Sequence, residues 1–158
     1  MKSEKGLDRI DLKILKVLQN DGRISNVDLA KQVGLSPTPC LERVRRLERE
    51  GYITGYRAIL NPEKMNAALI AFVEVTLERT TTAELDRFNA AIMTLDEVLE
   101  CHMVGGGFDY LVKIRLPDMA HYRRFLGEKL AAIKGVSQTH TYVVMEEVKS
   151  TTALPIEV

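Results

Sequence analysis

Four arginines, Arg43, Arg45, Arg46 and Arg49, crowd the end of GLSPTPCLERVRRLEREG, the stretch from Gly34 to Gly51. Guanidinium groups at helical spacing pair with phosphates or with guanine edges. A nearby Glu42 can accept from a cytosine amino group, and Thr38 can meet a thymine methyl or a phosphate. Turning about 100° per residue puts Cys40, Leu41, Val44 and Leu47 on one inward stripe. Thr38, Pro39, Glu42, Arg46 and Arg49 then point outward, flanked by Arg43 and Arg45. Phosphate contacts are expected from the N–H groups at Ser36 and Thr38 and from Arg45 and Arg49. Base reading is expected from Thr38, Glu42, Arg43 and Arg46, and Ser25 and Asn26 complete the expected DNA-contacting set. A basic helix face can also be merely solvated, so the surrounding elements must decide.

A second stretch, MVGGGFDY from Met103 to Tyr110, has the groups to hold a free amino acid. Gly105, Gly106 and Gly107 leave backbone N–H groups bare for a carboxylate, Asp109 can pair with an ammonium, and Met103 and Val104 offer apolar surface. The same residues also read as a plain hairpin turn. Other chemistry finds no support: Cys101 and His102 are adjacent on a strand, point to opposite faces and cannot share a metal. No nucleophile elbow, P-loop or dinucleotide fingerprint is present, so no catalytic residue, metal or cofactor is expected.

The elements that must carry these residues follow from periodicity. Leu7, Ile10, Ile14, Leu15 and Leu18 recur at helical spacing, Asp8 can cap the start, and Asn20-Asp21-Gly22 ends the pattern. Ser25 opens a capping box with Asp28 before a short helix bearing Val27, Leu29, Ala30 and Val33, which Gly34 closes. The third helix starts with Ser36 as cap and Pro37 in the first helical position, or with Thr38 as cap and Pro39 first. A helix, a short capped helix, a glycine turn and a basic third helix make a helix-turn-helix, whose last helix enters a major groove. That order favours DNA binding over a solvated face.

Tyr52, Ile53, Tyr56, Ile59 and Leu60 around Gly55 read as a short hairpin or extended connector ending at Asn61-Pro62. Beyond it, 70–77, 98–104, 108–116 and 136–148 read as strands, with helices after Thr81 and Asp118. The order β-α-β-β-α-β is the split βαβ, ferredoxin-like pattern. The expected fold class is α+β: a three-helix helix-turn-helix domain at 1–60, a linker at 61–68, and a ferredoxin-like effector-binding and oligomerisation domain at 69–158. Alternation puts Leu99, Cys101 and Met103 on one sheet face and Glu100, His102 and Val104 on the other. The face away from the helices mixes charge with large apolar residues, a composition suited to another subunit.

Composition fits two partners. The 22 basic and 22 acidic side chains cancel overall, yet residues 1–60 carry net +4 and residues 61–158 net −4. Two distant cysteines, Cys40 and Cys101, form no disulfide framework, and no leader precedes Leu7, so a reducing cytoplasm is expected. No apolar run approaches the roughly 20 residues that span a bilayer, which argues against a membrane partner.

With LDRID from Leu7, DGRISNV from Asp21, VGLSPTPCLERVRRLE from Val33, ECH at Glu100, FDYL at Phe108, PDM at Pro117 and TYVVMEEVK from Thr141, the chain resembles the Lrp/AsnC family of feast/famine transcription regulators. The resemblance covers almost the whole chain. It implies a DNA-binding helix-turn-helix, a βαββαβ effector domain that dimerises through its sheet, and further assembly, often to octamers that wrap DNA. It also implies an amino-acid effector, leucine or another aliphatic one, bound between subunits. Carried onto this sequence, that site is Met103 to Asp109 with Thr141, Val143 and Val144. Leucine-responsive members usually have Ser-Gly-Asp where this chain has Gly105-Gly106-Gly107, removing a hydroxyl and a carboxylate from the loop. Two alternatives stay open: an architectural DNA-wrapping protein without effector, and an enzyme resembling the siroheme decarboxylases, which would need histidines and arginines converging on a tetrapyrrole.

Overall fold

The first helical pattern becomes α1, Arg9–Leu18, in the computed structural model, which describes residues 6–158. Residues 1–5, part of the expected 1–60 domain, lie outside the described residues. The Asp8 carboxylate accepts the N–H groups of Ile10 and Asp11, both at 2.9 Å, and Asp11 returns the favour to the Asp8 N–H at 3.0 Å. This reciprocal box satisfies donors that a helix start otherwise leaves bare. Helix α2, Asn26–Val33, is capped by Ser25, whose Oγ accepts the Asp28 N–H at 3.1 Å. Asp28 answers on the Ser25 hydroxyl rather than its N–H, so this box is only half formed. Gly34 ends α2 in the left-handed region, φ +76°.

Helix α3, Pro37–Arg49, follows Ser36, which occupies the cap position without a side-chain cap bond. Pro37 is therefore the first helical residue, and with Pro39 lacking an N–H, Thr38 carries the one donor among the first three positions. Ile14, Leu29, Ala30, Val33, Cys40 and Leu47 form the buried centre, with Val44 and Ile53 packed against it. Leu41, expected on the inward stripe, is half-buried. The possible hairpin after Gly51 does not form. Ile53 instead donates its N–H to the Leu47 carbonyl at 3.2 Å, and the Tyr56 hydroxyl donates to Glu48 at 2.9 Å. Both bonds tie the segment to α3 rather than to a partner strand.

These helices and Lys149–Val158 form one compact unit, and Leu60–Val148 form a second. From the sequence, 149–158 are expected in the effector domain. The structure attaches them to the helices, because Leu154 donates its N–H to the Gln19 side-chain oxygen at 2.9 Å and accepts from the Gln19 amide at 2.8 Å.

In the second unit β1, Leu69–Leu77, pairs antiparallel with β3, Tyr110–Leu116, on one side and β4, Val136–Val143, on the other. With β2, Val98–Met103, on β3, the strand order is β2-β3-β1-β4, the ferredoxin-like arrangement. Ala71, Val73, Val75 and Leu77 alternate inward with Tyr110, Val112, Ile114 and Leu116. Phe88 and Ile92 of α4, Thr82–Ile92, and Tyr122 and Phe125 of α5, Met119–Phe125, cover that face. The Phe88 and Tyr110 rings lie 4.4 Å apart, a tilted pair at the centre.

Three local features depart from the sequence pattern. A β-bulge between Val98 and Glu100 takes Leu99 out of register, so Val98, not Leu99, joins Cys101 and Met103 on the helix-facing side. Helix α5 widens into a π-helical turn at Leu126–Leu130 instead of running on as one α-helix. The glycine triplet is not a tight turn. Residues 104–109 make an open loop, closed at its base by the Val104 N–H on the Asp109 carbonyl at 2.9 Å.

Candidate DNA-binding and effector sites

Four α3 side chains stand free of the helical unit: Thr38, Glu42, Arg45 and Arg49 are all exposed, and none makes a side-chain bond to a neighbour. Their spacing of four, three and four residues is that of one helix face, and the unpaired Thr38 N–H sits at its leading end. Asn26 serves the scaffold, its amide donating to the Pro37 carbonyl at 2.8 Å and fixing where α3 begins relative to α2. Ser25 is likewise occupied by Asp28.

Arg43 and Arg46 do not join that face, contrary to the outward position expected for Arg46. Arg43 Nη1 lies 2.6 Å from Asp8 Oδ2 and 2.8 Å from Asp11 Oδ1, and Arg46 Nη2 lies 2.5 Å from Asp11 Oδ2. Asp11 is completely buried, 0 % exposed. Releasing both guanidiniums to DNA would leave it without a countercharge, costing about 3–5 kcal/mol, comparable with the about 1–3 kcal/mol that each bidentate guanine contact returns. In the chain alone nothing offsets that cost, so the pairing holds. The Asp11 N–H, followed by the Arg43 guanidinium, holds the Asp8 carboxyl down at about 2, so Asp8 stays charged at any ordinary pH. The same two carboxylates raise the Arg43 pKa further.

At the other candidate site Met103, Val104, Gly105 and Asp109 line a depression of about 370 Å³ together with Thr80 and Leu85, which sequence reasoning did not include. That is within the usual range for small ligands, roughly 300–1,000 Å³. A Cβ on Gly105, Gly106 or Gly107 would meet nothing within 4 Å, and none of the three has a left-handed φ. Neither packing nor backbone strain requires glycine there, so its effect is to leave the loop's N–H groups uncovered. Asp109 is partly committed: its Oδ2 accepts the Leu77 N–H at 2.7 Å, leaving Oδ1 for a ligand. Gly106 and Gly107 lie outside the lining. Thr141, Val143 and Val144 belong to β4 and its end, at the sheet edge opposite β2. Three strand spacings of about 4.8 Å separate the edges by roughly 14 Å, and the Thr141 hydroxyl bonds that of Tyr122. One chain does not bring the two groups together.

The family model for the Lrp/AsnC ligand binding domain matches residues 70–154, and one for a winged helix-turn-helix DNA-binding domain matches residues 7–54. The chain belongs to the Lrp/AsnC family. Among Lrp/AsnC proteins, the leucine-responsive regulatory proteins of Salmonella typhimurium and Escherichia coli K12 are each 60% identical over 153 residues, covering 97% of this chain and 93% of theirs. A transcriptional regulator from Neisseria meningitidis, solved as a complex with L-Met, superposes with TM-score 0.91 at 40% identity, covering 94% of this chain and 96% of that one. An AsnC family regulator from Agrobacterium tumefaciens gives 0.90 at 37% identity, covering 94% of this chain and 97% of its own. The α+β architecture, helix-turn-helix followed by antiparallel sheet, is thus that of the Lrp/AsnC regulators, and the chain is a DNA-binding transcription regulator with an amino-acid-binding domain.

Away from its helices the Lrp/AsnC sheet carries Phe72, Glu74, Leu111, Lys113, Arg115, Glu100, His102, His140 and Tyr142, the mixed face expected from alternation. Glu100 accepts from Lys113 and pairs with His102, both at 3.2 Å, and these bonds, the His102 one foremost, hold its carboxyl below the usual range. Lys113 Nζ lies 5.9 Å above the Phe72 ring. Among the described residues no helix is long and apolar enough to cross a membrane, and no group of three metal-ligating side chains occurs.

Proposed function

We propose that this regulator reads duplex DNA through Thr38, Glu42, Arg45 and Arg49 and adjusts that binding to a free amino acid held at the 104–109 loop. The observation that carries the first half is the free, helically spaced face on α3, with the Thr38 N–H available to a phosphate. Arg45 and Arg49, rather than Arg43 and Arg46, supply its cations. The second half rests on the depression at the loop: bare N–H groups for the carboxylate, Asp109 Oδ1 for the ammonium, and Leu85, Met103 and Val104 for an aliphatic side chain.

Thr141, Val143 and Val144 enter the effector site only from a second copy, so the reading includes self-association through the open sheet face into a dimer and onward to an octamer. The E. coli and Salmonella relatives bear leucine-responsive names, and the Neisseria structure holds L-Met. Both point to an aliphatic side chain, and the three glycines contribute no side-chain polar group, which leaves Asp109 as the loop's one polar side chain. An enzymatic role is disfavoured: His102 and His140 lie on the open face but on the two opposite edge strands, β2 and β4, and His121 lies with Arg124 beside a separate depression, with no convergence on one ligand. The working compartment is the cytoplasm, where DNA and free amino acids meet.

Fluorescence anisotropy with a duplex selected by the protein from a random library tests this reading. Arg45→Ala should weaken binding about 5- to 100-fold, and leucine or methionine should shift the wild-type curve. Equal binding by Arg45→Ala and wild type would remove the assigned face, and indifference to all twenty amino acids would leave an architectural DNA-wrapping protein.

A further inference from the structure

Helix α1 carries a charged residue where its packing calls for an apolar one. Asp11, Ile14 and Leu18 share one face of the helix, with Leu7 just before its cap, yet Asp11 is as buried as Ile14. Its carboxylate is satisfied by three donors: the Asp8 N–H, Arg43 and Arg46. Asp8 adds a second carboxylate, and the four side chains join the start of α1 to the middle of α3 with charges balanced, while Glu50 Oε2 lies 4.0 Å from Arg46 Nε at the edge of the cluster. Arg43 and Arg46 keep 29% and 24% of their side-chain surface exposed. Once unpaired, they would be cations at the edge of the DNA-reading face.

We propose that Asp11, supported by Asp8, determines the selectivity of the DNA interface by retaining Arg43 and Arg46, which fixes α3 in its reading pose and withholds two cations from phosphate. This rests on the assignment of α3 as the DNA-reading helix. Non-specific affinity for DNA grows with the number of phosphates neutralised. A helix with four arginines in seven positions would hold any duplex, and sequestering two of them lowers that background while leaving the Thr38, Glu42, Arg45 and Arg49 face intact. Asp11 and Asp8 are positioning residues, and neither touches DNA.

Charge alone predicts an unchanged selected-to-unrelated ratio, whereas the positioning effect lowers it, so the ratio decides the test. Full-length Asp11→Asn is titrated against the selected duplex and against an unrelated duplex of equal length, over a series of KCl concentrations. Removing a negative charge would by simple electrostatics strengthen binding to both. The proposal expects tighter binding to the unrelated duplex only, a salt slope there steeper by about 1 as Arg46 takes a phosphate while Asp8 still holds Arg43, and a selected-to-unrelated ratio about tenfold lower. An unchanged ratio and slope in a folded Asp11→Asn protein would overturn it.

If circular dichroism shows that Asp11→Asn does not fold, Arg46→Met and the exposed-site variant Asp8→Asn replace it. Arg46→Met should lose selectivity with no change of slope on the unrelated duplex. A slope flatter by about 1 would mean that Arg46 already holds phosphate, and the proposal fails. If Arg45→Ala in turn leaves both duplexes bound as by wild type, the assignment of α3 has failed, not only the role of Asp11.

Discussion

Asp8 is the side chain of the cluster whose titration can be followed from outside. Its carboxyl is held at about 2 in the folded chain against an ordinary value near 3.8. A depressed carboxyl contributes stability above its unfolded pKa and loses that contribution as pH falls through its folded one. The window therefore runs from about pH 4 down to about pH 2. Half of the Asp8 side chain is in solvent, so the contribution is small. Far-UV circular dichroism melts should show the wild-type midpoint falling across that window more steeply than that of Asp8→Asn. Parallel curves would mean that the cap and the Arg43 pair carry no net stability. Much at this scale was legible in the sequence: Asp8 as a cap, Cys40 and Leu47 as inward residues, and Thr38 and Glu42 as outward ones. Arg46 was expected outward and Arg43 on a flank, and the pairing of both was missed because helical angle alone does not register a buried acid on another helix. The signal was present in Asp11, a carboxylate at an apolar-periodic position, which must find cations when buried.

Among the elements, the α2–α3 connection is the one that sets the reading helix. Gly34 takes φ +76°, and a Cβ there would meet nothing within 4 Å, so a side chain costs only backbone strain. Gly34→Ala should destabilise the helical unit by about 1 kcal/mol, with Gly34→Asn closer to wild type because asparagine tolerates that region. Urea unfolding followed at the helical signal measures both, and equal stability of all three proteins would show that the turn relaxes to another conformation. Helix and strand order was readable because hydrophobic period changes from 3.6 to 2 at the junction of the two units. The bulge at Leu99 and the π-helical turn at Leu126–Leu130 were not, since each accommodates an extra residue locally without altering composition. The effector depression was half legible: the 104–109 loop announced itself by its glycines. Thr80 and Leu85 carry no such mark in the sequence, and the β1–α4 connection brings them beside the loop.

For the molecule as a whole, the two units are joined by two crossings of the chain, near residue 60 and near residue 149. Ending the chain after Val148 should lower the midpoint of the helical unit while leaving that of the sheet unchanged. Hydrogen exchange of α1 and of β1 reads the two separately. Equal protection of α1 in both proteins would show that the Gln19–Leu154 pair adds nothing to that unit. Nothing in TTALPIEV marks this return, because a pair of hydrogen bonds to one glutamine amide leaves no periodic trace.

That return also has a consequence for biosynthesis. Topologically the sensory sheet is an insertion within the DNA-binding unit, and chains emerge from the ribosome amino end first. The three helices can assemble early, but their last contact is made only after every strand of the sheet has left the exit tunnel.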